Sequence, residues 1–148
     1  MSEKFVPTPE WAKLFCETVN ELEGYRKSAK GWVWPILFKA KDLPDDVKEM
    51  YKSDVIGWKL NLNNGTCEGV EWYDNAENAT ADYVLTASFK DWLDILEGKL
   101  NPTTALMRRK LKIEKGSYAT VLRYPIAALY LVKAAKIAWE KARGAKQG

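Results

Sequence analysis

The chain has 148 residues, a length suited to one domain spanning residues 1–148 and burying ~70% of its unfolded surface. Hydrophobic residues make up 47% and charged residues 29%, and the net charge of +3 is too small to argue for nucleic acid without a concentrated patch. Histidine is absent, which removes the commonest general base and metal ligand together.

From the N-terminus, MSEKFVPTPEW has no basic segment followed by an apolar run, so no signal peptide is read there. Thr8-Pro9-Glu10 is a helix start, with a cap, a first-turn proline and an acidic residue at the positive dipole end. Trp11, Leu14, Phe15, Val19 and Leu22 mark one face of an amphipathic helix running to about Ala29, which Gly24 loosens or ends early. Trp32 to Ala40 reads as the first strand, with an edge, bulge or irregularity expected at Pro35. Pro44, Asp45 and Asp46 open a short helix whose apolar side is Val47, Met50 and Tyr51.

Asp54 to Leu62 alternates as a strand, and Asn63-Asn64-Gly65 is the hairpin signal. A two-residue Asn64-Gly65 turn would pair Leu60 with Gly69. Matching the apolar faces, Trp58 with Trp72 and Leu60 with Val70, requires a bulge or a longer loop. Residues 74 to 81 form a polar loop.

Residues 82 to 116, DYVLTASFKDWLDILEGKLNPTTALMRRKLKIEKG, are the most strongly punctuated stretch. Tyr83 to Ala87 is a strand, Ser88 an N-cap answered by Asp91, and Phe89, Trp92, Leu93 and Leu96 recur at helical spacing before Gly98. Asn101-Pro102 starts another helix, and Leu111 and Ile113 alternate with lysines and Glu114 in a last strand. Ser117 to Arg123 reads as extended or turn-rich. Pro125 then begins a final helix that is apolar at every position from Ile126 to Val132. That run is too short to span a membrane, so its own domain, a partner, a second copy or a bound apolar molecule must cover it. With Lys141, Arg143 and Lys146 behind it, transient contact with a membrane surface is a further reading.

Catalytic chemistry finds little support. No phosphate-binding glycine loop or nucleophile elbow is present, and Asp91, Asp94 and Glu97 lie opposite the apolar side of their helix, on a solvated face. Cys16 and Cys67 show no pair spacing, so neither a disulfide framework nor a zinc site is expected, and a reducing, cytoplasmic location fits. Arg108, Arg109, Lys110, Lys112 and Lys115 form the one basic concentration. It reads either as a solubilising strand edge or as an attractor of an anionic lipid head, an acyl-coenzyme A phosphate or a membrane surface.

The text FKDWLDILEGKLNPTTALM followed by KLKIEKG resembles the sterol carrier protein type-2 family of lipid-binding domains, and the order of elements across the chain is similar too. The resemblance implies an α+β fold: a mostly antiparallel five-stranded sheet with helices packed on one face, enclosing a hydrophobic tunnel. It implies a non-enzymatic carrier of fatty acids, fatty acyl-coenzyme A or other apolar lipids, without a cofactor. The alternative reading is a protein-interaction or dimerisation module using the apolar last helix. Carried onto this chain, the tunnel would be bordered by Trp92, Leu93, Leu96, Leu106, Met107, Leu111 and Ile113. Tyr118 and Leu122 follow, and Ile126, Leu129 and Tyr130 would cap it. Tyr118, Tyr130 or Lys133 would orient a polar head. One departure stands out: Arg108-Arg109 occupies the place where the family usually has a small residue or glycine.

Overall fold

The computed structural model describes residues 5–147, and seven helices and five strands form among them. Helix α1 (Pro9–Glu21) starts as its sequence dictates, with the Thr8 hydroxyl accepting the Trp11 N–H at 3.0 Å. It stops at Leu22, whose backbone is extended, and a separate α2 (Glu23–Ser28) follows. The single helix to Ala29 is thereby corrected. The break turns Tyr25 into the core and sets Gly24 against the Tyr130 ring, where a Cβ would lie 2.1 Å from the ring carbon.

Strand β1 (Ile36–Lys41) begins four residues later than expected. Pro35, which has no N–H to give a ladder, stands just ahead of it, and β1 is free to take the central place in the sheet. Helix α3 (Asp45–Tyr51) leads to the hairpin β2 (Ile56–Asn63) and β3 (Thr66–Tyr73). Trp58 pairs with Trp72 and Leu60 with Val70, and the register shifts between Leu60 and Leu62. The bulge keeps the apolar side chains of both strands on one face, with Asn64 and Gly65 turning at φ +53° and +94°.

Strand β4 (Tyr83–Ser88), α4 (Phe89–Leu96), α5 (Pro102–Met107) and β5 (Leu111–Lys115) follow the expected punctuation. Ser88 accepts the Asp91 N–H, Gly98 turns at φ +81°, and Asn101 Oδ1 accepts the Thr103 N–H at 2.8 Å. Of the extended and turn-rich readings of the segment after β5, the structure takes the second, as a one-turn helix, α6 (Tyr118–Val121). Ser117 nucleates it by accepting the Thr120 N–H. The last element is α7 (Pro125–Gln147).

The sheet order is β3-β2-β1-β4-β5, and β1 runs parallel to β4 while the other three pairs are antiparallel. The sheet is therefore mixed, not the mostly antiparallel one expected, because the chain returns from the β2–β3 hairpin to the opposite side of β1. Phe38, Trp58, Leu85 and Leu111 project to the face covered by helices. Across the other face runs the segment 74–82, where Ala76 is fully buried and Glu77 O accepts the Lys39 ammonium at 3.3 Å. Lys59 and Glu71 pair there at 2.9 Å; their hydrogen bond raises the lysine pKa and lowers the carboxyl's.

Helix α1 lies between the sheet and α7. Trp11 Nε1 donates to Ala135 O at 3.0 Å, and Lys141 Nζ donates to Glu21 at 2.9 Å. On its other side, a Cys16–Cys67 disulfide joins α1 to β3, and the Asn20 amide both donates to Cys67 O and accepts the Cys67 N–H. The disulfide corrects the expectation of unpaired cysteines. A separation of 51 residues carries no local signature, and only the packing of α1 across β3 brings the two Cα atoms to 5.5 Å. It also removes the ground on which a reducing compartment was inferred. Among the described residues no helix is long and apolar enough to cross a membrane.

Candidate ligand cavity

Between the sheet and the helices lies a cavity of about 120 Å³. Its floor is the helix-facing side of the sheet: Ile36, Phe38, Trp58, Leu85 and Leu111. Helices α1 and α2 supply Trp11, Phe15 and Tyr25, α4 supplies Trp92, Ile95 and Leu96, and α5 supplies Pro102, Thr103 and Leu106. The remaining wall is Val121, Leu122, Tyr124 and the inner side of α7 from Pro125 to Ala135. Leu122 and Pro125 are the exposed members of this lining, so the cavity reaches solvent where α6 meets α7.

The aromatic rings hold one another in place. Trp58 stacks on Phe38 and on Trp72, and meets Trp11 edge-on at 5.1 Å. Trp92 fixes the α4 side, because its indole N–H reaches Lys39 O at 2.8 Å. The indole N–H groups of Trp11 and Trp92 are thus satisfied by backbone. That of Trp58 is different: it is buried and has no partner among the described residues. Burial holds the Tyr25 phenol protonated, far above the usual tyrosine range. Among the described residues no group of histidine, cysteine or carboxylate ligands could hold a metal ion. What such a wall can do chemically is bury apolar surface and offer a few neutral donors.

Five of the twelve residues named from sequence, Trp92, Leu96, Leu106, Leu111 and Leu122, lie on this wall. The other seven do not. Leu93 and Ile113 pack half-buried against the core, and Tyr130 lies against Gly24. Met107, Tyr118, Ile126 and Leu129 are exposed, Met107 at 70%. At the last helix Ala127, Ala128, Leu131 and Val132 face the cavity, and Ile126 and Leu129 face solvent. The α1 and sheet aromatics were legible as apolar faces, but nothing in their spacing separates pocket lining from core.

The sequence profile of the SCP-2 sterol transfer family matches residues 17–124. The chain belongs to this family. Similar solved structures include a crystal structure of sterol carrier protein 2, 36% identical, with a TM-score of 0.77 over 87% of this chain and 95% of that one. The solution structure of a conserved hypothetical protein from Thermus thermophilus, described as possibly a sterol carrier protein, is 33% identical, with a TM-score of 0.80 over 93% of this chain and 92% of that one. The apo form of sterol carrier protein 2 from Yarrowia lipolytica, at 21% identity and a TM-score of 0.54 over 88% and 95%, shares the fold. No curated protein matches. Just ahead of the last strand, Arg109 stands at φ +61°, a left-handed conformation that costs a side chain energy and suits glycine.

Proposed function

We propose that the chain is a non-enzymatic lipid carrier that takes up fatty acids, fatty acyl-coenzyme A or similar single-chain lipids in the cavity between its sheet and helices. The observation that carries this reading is the lining itself, an almost wholly apolar wall of aromatic and aliphatic side chains. Membership of a sterol transfer family supports the coarser part, the binding and transfer of an apolar lipid. The size of the space favours the finer part. A volume of about 120 Å³ is well below the ~300–1,000 Å³ of typical small-molecule sites, so occupancy requires the wall to part. A flexible chain can enter such a space in stages, whereas a rigid fused-ring sterol needs its full width at once.

Each methylene buried would contribute ~0.8 kcal/mol, and about ten of them yield micromolar affinity without any strong polar contact. The unpartnered Trp58 N–H and the protonated Tyr25 hydroxyl are the wall's candidates for a ligand oxygen. Organic extraction of the purified chain followed by mass spectrometry tests the proposal, with tryptophan fluorescence during titration by fatty acid, acyl-coenzyme A and sterol. An empty extract together with no response to any of the three would refute it; a response to sterol alone would refute the single-chain preference.

A further inference from the structure

Strand alternation builds a second hollow, on the side of the sheet that faces away from the apolar cavity. Next to the cavity-floor residues Phe38, Leu85 and Leu111, the neighbours Lys39, Thr86 and Lys112 point the other way. The register sets them in rows: Lys39 beside Thr86, Thr86 beside Lys112, and Lys41 beside Ser88 at the strand ends. The Lys39 ammonium is taken by Glu77 O of segment 74–82. At the ends of the strands lies a hollow of about 300 Å³, and it shares no lining residue with the apolar cavity.

Every side chain that lines it is polar or charged. Lys41 and Lys112 come from β1 and β5, Arg109 and Lys110 from the turn into β5, and Asp42 and Asp91 stand among them. Thr86 and Ser88 complete the wall. The Thr86 hydroxyl is held by Glu114, whereas Ser88 only accepts the Asp91 N–H and keeps its own proton to donate. None of these four cations and two carboxylates is in an ion pair with a described residue. Charges of both signs thus face one space without closing on each other. Arg109 also holds its left-handed backbone at a cost that glycine would not bear, so a long cation is kept there against the local preference.

We propose that this hollow binds a small phosphorylated polyol, in chemical class a sugar phosphate, with the phosphate on Arg109, Lys110 and Lys112 and the hydroxyls on Asp42 and Asp91. The proposal goes beyond the carrier reading and does not rest on it. The excess of cations complements a phosphate dianion, and a guanidinium can hold two of its oxygens at once. Carboxylates in the same hollow repel a bare anion or a continuous anionic surface, yet they accept protons from the hydroxyls of a polyol. No aromatic ring lines the space, so a nucleotide base would find nothing to stack on. The volume stands at the lower end of the ~300–1,000 Å³ of small-molecule sites, which suits a ligand of a few carbons.

Isothermal titration calorimetry of the full chain at low ionic strength tests this with glucose 6-phosphate, inorganic phosphate, glucose and adenosine monophosphate. Glucose 6-phosphate is expected to bind about tenfold more tightly than inorganic phosphate, and glucose to give no heat at the same concentrations. Arg109→Gly should unfold close to the parent's temperature, because glycine suits that backbone, and should bind both phosphates at least about tenfold more weakly. The exposed Lys112→Gln should weaken both in the same way. Asp42→Asn keeps a side chain that tolerates the φ of +52° there; it should weaken glucose 6-phosphate and tighten inorganic phosphate, whereas a plain basic patch would tighten both. In all three variants fatty-acid uptake, followed by tryptophan fluorescence, should match the parent, so this reading and the carrier reading fail separately. No heat from glucose 6-phosphate, equal affinity for inorganic phosphate in the parent chain, or parental affinity in both Arg109→Gly and Lys112→Gln would overturn the site. Tighter binding of adenosine monophosphate than of glucose 6-phosphate would overturn the polyol class. Displacement of glucose 6-phosphate by phosphatidylcholine vesicles carrying phosphatidylinositol 4-phosphate would give the site to a lipid head and overturn the soluble ligand.

Discussion

Replacing Ala127 by leucine separates a ligand cavity from an ordinary packing defect. Ala127 is buried on the first turn of α7 and lines the cavity, so the three added carbons enter space that a ligand chain would otherwise fill. Displacing about three methylenes at ~0.8 kcal/mol each costs roughly 2.4 kcal/mol of binding, an affinity loss on the order of fiftyfold. The unliganded protein should respond in the other direction, or mildly: filling empty space removes a cavity cost, and overpacking beyond it costs about 1–3 kcal/mol. Fatty-acid titration by tryptophan fluorescence reads the first quantity, and urea unfolding followed by far-ultraviolet circular dichroism reads the second. Ala142→Leu is the control, since Ala142 is equally buried on α7 but lies outside the cavity; it should lose stability and keep affinity. A folded Ala127→Leu protein with parental affinity would refute the reasoning, because the ligand would then lie elsewhere.

Other consequences are as direct. Opening the Cys16–Cys67 disulfide releases a 51-residue loop, for which chain entropy gives about 4 kcal/mol; urea unfolding of the Cys16→Ser, Cys67→Ser protein should show it, and a change below ~1 kcal/mol would contradict it. Stability should fall as pH rises above ~10, where tyrosines in the unfolded chain ionise. Burial raises Tyr25, and burial with the charge of Asp74 raises Tyr51 to about 12, so the folded state keeps protons that the unfolded state has lost. A Tyr25→Phe, Tyr51→Phe protein should lose less stability between pH ~9 and ~11, and an unchanged slope would count against the assignment. Gly116→Ala should destabilise by at least ~1–2 kcal/mol, since φ there is +111° and a Cβ would meet the Tyr83 ring at 2.3 Å; thermal unfolding at neutral pH checks it.

Local chemistry made most element boundaries readable. The caps at Thr8, Ser88 and Asn101 and the bulged pairing of Trp58 with Trp72 depend on residues a few positions apart, and each formed as its spacing required. What escaped is nonlocal. The helix break at Leu22 serves Tyr25 packing in the core, and the disulfide needs α1 and β3 side by side. The parallel β1–β4 pair depends on which side of β1 the chain returns to, which no short window encodes. The cavity wall suffered most at α7, where apolar residues at every position from 126 to 132 leave no periodicity to say which face turns inward. Only the packing of the whole helix against α1 decides it, turning Ala127, Ala128, Leu131 and Val132 toward the cavity.

The packing of α7 across α1 has a consequence for how the chain acquires its shape. Phe5 meets Trp139 at 5.3 Å between ring centroids, and Trp11 donates to Ala135, so each of these residues is completed by one made more than a hundred positions later. Loop closure over more than a hundred residues places this contact late in folding, after the β2–β3 hairpin and the short α4–β5 unit can form locally. Until α7 arrives, the Trp11, Phe15 and Trp58 surface that becomes the cavity wall is open to water and to other chains. At ~5–20 residues per second of synthesis, the interval between Phe5 and Trp139 lasts on the order of ten seconds. A chain shortened before Pro125 would stay in that state, with its aromatic wall permanently uncovered.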